Sequence, residues 1–396
     1  MHMDTQKTLL EKVDLFQVIF IIHLTGLLIQ PKLDLVIPLY HPFLNAVLMK
    51  IVLTAWGAYL AGKYLMRIME ACRNKSETDS DEINIKVLLF LIVLQFAVVM
   101  IRYFARGIPL FSSTPDIAKG AFLAPPTYGC TRILYIGLPL SLFIYMAYQF
   151  KNEKEKKLIT PRNVFFLTIG LLPLFIGLFK GSVITFLLGM VLVYDKFKKR
   201  IRIRLSFRNL LLAVLVVLMP IFQYYFSEGE RNFHLSASYV FQRLLVYSQE
   251  GFNYIVYAEL PPNWMDQLRT FLGLAVERPG NPGFLLSQDM LNREEPTFST
   301  VTTLYGFCWR NGGWLTLIIG FAILGAWAEI LIRRIRFSNS VFWVSFHICL
   351  FIVLLKTVLV GEPFNDLRGP ILSLLCAVAV FEITKKEVAP HENPVS

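Results

Sequence analysis

Apolar runs of helical length recur along the whole chain, and nothing else in it limits the fold as much. They fall at about 15–37, 43–66, 87–104, 127–149, 164–179, 182–195, 209–226, 312–332, 340–360 and 369–384. A bilayer core about 30 Å thick is crossed by about 20 apolar residues in a helix. In lipid every backbone N–H and C=O must find its partner within the chain, so only helices or a closed barrel can span. The runs are continuous rather than alternating, which argues against a barrel. The pattern predicts an all-α polytopic membrane protein of about ten transmembrane helices, with residues 1–396 as a single transmembrane domain. The composition agrees, with 55% hydrophobic and 17% charged residues, where a soluble domain carries roughly a quarter charged residues. The start, MHMDTQKTLLEKVDLFQVIF, has no small-residue cleavage site after its apolar run and reads as an uncleaved anchor.

Two of the runs are short. VFFLTIGLLPLFIGLF and VITFLLGMVLVY are joined only by KGS, which reads as a tight helical hairpin with its tip near one membrane face. One long kinked helix is the alternative.

The distribution of charge sets the orientation. The connections RIMEACRNKSETDSDEINIK, KNEKEKKLITPRN, KFKKRIRIRLSFRN and RRIRFSNS are dense in lysine and arginine, whereas YHPF, KGS and VGEPFNDLRGP are not. Positive loops stay inside, so both termini are expected in the cytoplasm. The net charge of +11 would suggest nucleic acid in a soluble protein; here topology accounts for it, and no nucleic-acid partner is expected. Cys72, Cys130, Cys308, Cys349 and Cys376 show no metal-ligand or CxxC spacing and read as packing residues.

One outer connection, 227–311, is far longer than a connection needs to be, and long loops usually carry function. Within it, YVFQRLLVYSQEGFNYIVYAEL and WMDQLRTFLGLAVE have the helical spacing of interfacial helices. Its cations are Arg231, Arg243, Arg269, Arg278, Arg293 and Arg310, with no lysine. The planar guanidinium fork holds phosphate or carboxylate bidentately. Further cations lie toward the same face: Arg102, Arg106, Arg132, Lys180, Lys356 and Arg368. A charge at bilayer depth points to function unless it snorkels to the interface. Together they suggest a pocket for a membrane-embedded anion.

Acid–base groups on that face are few. The candidates are His234, Glu230, Glu250, Asp289, Glu294, Glu295, Glu362 and Asp366; His41, in a short turn, reads as structural. No HExxH, paired Cys/His or DxD-like run is present, so metal-free chemistry is expected, with no cofactor. The outer aromatics, Tyr305 and Trp309 among them, fit either an interfacial belt or a sugar-handling site.

Three stretches carry a resemblance. They are RGIPLF after an early span, the glycine-serine turn in FKGSVITFLLG, and FSTVTTLYGFCWRNGGWLTLIIGFAILG. With the overall layout, these resemble the Wzy-like family of O-antigen, or oligosaccharide repeat-unit, polymerases. The chain departs from that family in having Lys180 before Gly181-Ser182, where an arginine usually follows. It also has Phe307-Cys308-Trp309-Arg310 where a Phe-Gly-like pair is expected. The resemblance implies a fold similar to the C-type glycosyltransferases, in a bacterial inner membrane, with a periplasmic outer loop. It implies a metal-independent glycosyltransferase that joins undecaprenyl-pyrophosphate-linked oligosaccharides, with membrane lipids around it and a chain-length regulator as a further partner. Arg231, Arg243, Arg278, Arg293, Arg310, Lys180 and Arg368 are then the candidates for holding pyrophosphate. Glu294 or Glu295 is the expected general base, with His234 as the alternative, and Tyr305 is a candidate to stack on or hydrogen-bond a sugar. An O-antigen ligase that transfers glycan to lipid A core, or a lipid-linked oligosaccharide flippase, are the rival readings.

Overall fold

The computed structural model describes residues 9–35, 39, 41–71, 83–113, 118, 122, 128–152, 160–197, 221, 225, 233–272, 274, 282–292, 302–360 and 363–384. Among these the fold is helical, with no strand. Helix α1 is Leu15–Ile29, α2 is Asn45–Ala71 and α3 is Ile85–Arg106. Helix α4 starts at Tyr128–Arg132, passes through a π-helical stretch at Ile133–Gly137 and continues as Leu138–Asn152. Helices α5, Pro161–Ile176, and α6, Lys180–Phe197, follow. Five short helices come next: α7 Phe233–Leu245, α8 Glu250–Tyr257, α9 Trp264–Leu272, α10 Pro282–Leu291 and α11 Thr303–Arg310. Three long ones close the chain: α12 Gly313–Phe337, α13 Val341–Val360 and α14 Pro363–Thr384.

Six helical segments among the described residues are long and apolar enough to cross a membrane: Leu15–Lys32, Asn45–Met69, Ile85–Phe111, Cys130–Asn152, Gly313–Phe337 and Val341–Leu359. Pro161–Ile176 and Pro370–Glu382 are apolar but shorter. The expected runs at 164–179, 182–195 and 369–384 thus fall on α5, α6 and α14, while 209–226 lies outside the described residues. The short pair is a hairpin rather than one kinked helix. Gly177, Leu178 and Phe179 turn the chain, with Leu178 in the left-handed region at φ 56°. Across the turn Gly170 of α5 faces Phe186 of α6, as antiparallel helices require.

Local chemistry starts these helices. Asp14 caps α1 by accepting from the Phe16 and Gln17 amides, and Asn84 and Thr160 cap α3 and α5 in the same way. The strongest packing is of α2 along α12. Gly62 lies against the Ala322 carbonyl and Gly325 against the Tyr59 carbonyl, so a methyl group at either glycine would overlap the opposite backbone. Small residues allow such close approach between helices where lipid offers no hydrophobic drive.

Ion pairs hold one end of the bundle. Glu329 of α12 takes Arg67 of α2 and its own helix's Arg333, each at 3.1 Å. Asp14 takes Lys63 and the Tyr59 hydroxyl, and Glu11 takes Arg336. Asp195 accepts from the Leu9 amide at 2.8 Å, and Lys151 donates to the Asn339 carbonyl at 2.9 Å. This charged end gathers the starts of α1 and α13 and the ends of α2, α4, α6 and α12. It follows that the end of α13 and the starts of α4, α6, α12 and α14 lie at the opposite end, the mouth. Between the two ends, Phe16, Phe20, Tyr59, Phe321 and Phe351 form an aromatic core.

Candidate functional site

At the mouth the residues of interest fall into two groups. The first surrounds the π-helical stretch. Widening a helix by one residue re-aims the side chains that follow, and such stretches are frequent at functional sites. Here it presents Tyr135, and the Lys356 ammonium of α13 lies 5.4 Å from the centre of that ring. Beneath the pair runs a narrow, mostly apolar cavity of about 40 Å³ between α4, α5, α6 and α13. Tyr135, Pro139, Phe143, Phe186 and Ile352 line it, with Ser182 and Thr185 of α6.

Helices that carry cations meet at this place in the fold. Arg132 is half-buried three residues before Tyr135. Lys180 opens α6, two residues before Ser182. Helix α3, which carries half-buried Arg102, packs against the π stretch, as does α14, which carries Arg368. Of the anticipated pyrophosphate ligands, Lys180 and Arg368 therefore belong to helices that meet here. Tyr135 gave no signal of its own in the sequence; its place three residues after the intramembrane Arg132 was the available clue.

The second group is built by α7 to α11. Gln242 of α7 donates to the Asp34 carbonyl at 2.8 Å, which holds that helix to the segment that follows α1. His234 and Arg243 are exposed on α7, and Arg243 donates to the Tyr239 hydroxyl at 2.7 Å. Arg310, at the end of α11, donates through Nε to the Pro261 carbonyl at 2.6 Å. That contact ties α11 to the turn before α9, where Asn311 also accepts from the Asn263 and Trp264 amides.

Tyr305 lies where no sugar could reach it. It is fully buried in α11, stacked on Phe321 at 5.1 Å, and its hydroxyl meets His23 Nδ1 at 3.2 Å. The amphipathic α11 turns this face to the core because Phe20, Phe252 and Phe321 converge there. Burial drives the Tyr305 phenol pKa well above its ordinary value, so the hydroxyl stays protonated. Burial likewise pushes the Cys308 thiol up to about 12, which leaves it an inert packing residue.

His23 itself is a polar residue that sequence reading passed over. It is fully buried, and Gln249 donates to its carbonyl at 3.1 Å. A histidine within an apolar run was the signal for it.

Arg231, Arg278, Arg293, Glu294 and Glu295 lie outside the described residues. Among the described residues no group of three or more His, Cys, Asp or Glu could hold a metal ion. No known protein family matches the sequence, and neither does any curated protein or solved structure.

Proposed function

We propose that this chain is a polysaccharide polymerase. In this reading it joins undecaprenyl-pyrophosphate-linked oligosaccharide repeats into O-antigen or a related surface polymer, at the periplasmic face of a bacterial inner membrane. The charged end of the bundle and both termini then face the cytoplasm, and about ten spans cross the bilayer. One observation carries the reading: the Lys356 ammonium lies over the Tyr135 ring beside an apolar cavity, and the helices that carry Arg102, Arg132 and Arg368 pack at the same π-helical stretch, with Lys180 at the start of α6. Cations beside apolar helix surface are the chemistry that a polyprenyl pyrophosphate needs.

Two parts of the chain divide the reaction. The cations hold the pyrophosphate leaving group and take up its developing charge. A base among Glu294, Glu295 and His234 removes the proton from the acceptor hydroxyl as it attacks the anomeric carbon. Arg231, Arg243, Arg278, Arg293 and Arg310, in the long segment between the spans, are further candidates for holding the pyrophosphate.

Complementation tests this. A polymerase-null strain carrying the chain is expected to display a ladder of surface polysaccharide, and the Lys356→Ala form single repeats. A strain that shows single repeats with the unaltered chain, expressed and membrane-inserted, contradicts the reading.

A further inference from the structure

Three aromatic rings meet at the mouth outside the spans. His41 lies in the turn between α1 and α2, and its ring is 4.8 Å from Tyr254 and 5.4 Å from Tyr257, with interplanar angles of 26° and 24°. The two tyrosines are three residues apart on α8, so they share one face of it.

The arrangement is fixed from three sides. His41 Nε2 donates to the Met290 carbonyl of α10 at 3.1 Å. The Tyr254 hydroxyl donates to the Asp289 carbonyl at 2.9 Å. Asn253, itself buried, accepts from the Leu44 amide at 3.0 Å and donates to the Pro42 carbonyl at 3.1 Å, so it clasps the turn from both ends. Burial raises the Tyr254 pKa, and the Asp289 charge adds to it. Rings that only fill a core are covered, but Tyr257 is 48% exposed. Glu259, two residues on, is exposed and held in the left-handed region at φ 48°.

We propose that His41, Tyr254 and Tyr257 form a subsite for one pyranose ring of a glycan. An aromatic face carries negative charge density, and a pyranose offers it a face of weakly positive C–H groups. Asp289 and Glu259 supply carboxylate oxygens, which accept hydrogen bonds from sugar hydroxyls at the ring edge. The rigid clasp means that little ordering opposes binding. The subsite rests on the polymerase reading only for its role, which is to hold the acceptor glycan while the cations hold the donor.

The test uses the full chain in lipid nanodiscs and saturation-transfer NMR. The probes are methyl glycosides of the common hexoses, N-acetylhexosamines and 6-deoxyhexoses. Transfer is expected to at least one glycoside, strongest on the C–H protons of one ring face. Tyr257→Ala is expected to lower it about tenfold, the scale of one aromatic contact, and Tyr257→Trp to retain it. No transfer to any glycoside from folded protein overturns the subsite, as does transfer that Tyr257→Ala and Tyr254→Ala leave unchanged. Because no lipid-linked repeat is present, the outcome is independent of polymerisation. Glycan binding without chain extension would sink the polymerase reading and keep the subsite.

Discussion

His23 and Tyr305 are 282 residues apart in the chain and share a hydrogen bond of 3.2 Å in the core. The bond joins α1 to α11, the short helix just before α12. Tyr305→Phe keeps the ring stack and strands His23 Nδ1. The expected cost is about 1–3 kcal/mol. Tyr305→Ala also opens a cavity and should cost about 3–5 kcal/mol. Thermal unfolding in detergent, read as loss of monodisperse protein, should rank the unaltered chain above Tyr305→Phe and that above Tyr305→Ala. Equal midpoints for all three would place Tyr305 outside the core.

The glycine contacts between α2 and α12 make a sharp comparison. Gly62 and Gly325 meet backbone on the opposite helix, whereas nothing lies within 4 Å of the position a side chain would take at Gly57. Gly62→Leu or Gly325→Leu should separate the helices at a cost of about 3 kcal/mol or more, at the upper end of overpacking. Gly57→Leu should be tolerated. The yield of monodisperse protein checks this, and equal yields from Gly57→Leu and Gly62→Leu would refute the packing.

Burial also separates two ion pairs that look alike in sequence. The Glu329 side chain is 5% exposed between Arg67 and Arg333. Removing it by Glu329→Ala should cost about 1–3 kcal/mol, because partly buried Arg333 loses its charged partner while water solvates the more exposed Arg67. Asp266 and Arg269 are 3.9 Å apart and nearly half exposed, so Asp266→Ala should change stability by under about 1 kcal/mol. Denaturation of the two variants side by side measures the difference.

At the mouth, Lys356→Ala and Arg132→Ala are each expected to slow chain extension roughly a hundredfold, the scale of one lost charge-assisted contact to a leaving group. Lys356→Arg should retain much of the activity, since the charge stays over Tyr135. Arg310→Ala is a different case, because its Nε is committed to the Pro261 carbonyl. Its loss should show in the thermal midpoint as well as in polymer length. Extension rates and melting curves on the same preparations distinguish the two effects.

Six of the ten expected runs are helices long and apolar enough to cross a membrane, and these were legible from the length and continuity of their apolar residues. The hairpin was legible from two short adjacent apolar runs, but its turn was not: the chain reverses at Gly177, Leu178 and Phe179, and Lys180, Gly181 and Ser182, expected at the tip, open α6 instead. Tyr305 was not legible, because an aromatic near a membrane end reads the same whether it sits in the interface or in the core; only its neighbours Phe20 and Phe321 decide. Lys356 and Arg132 were visible as intramembrane cations, yet nothing in their spacing revealed Tyr135, which reaches Lys356 from a different helix. His41 read as a structural turn residue because its partners Tyr254 and Tyr257 lie more than 200 residues away in the chain.

Chain extension by the purified protein measures the central claim most directly. Undecaprenyl-pyrophosphate-linked repeats from the host would be supplied to the full chain in nanodiscs without metal, and the lipid-linked products separated by length. The account predicts a ladder of lengthened glycans with release of undecaprenyl pyrophosphate, abolished by combined Lys356→Ala and Arg132→Ala. Repeats recovered at their original length from folded, lipid-embedded protein would contradict it.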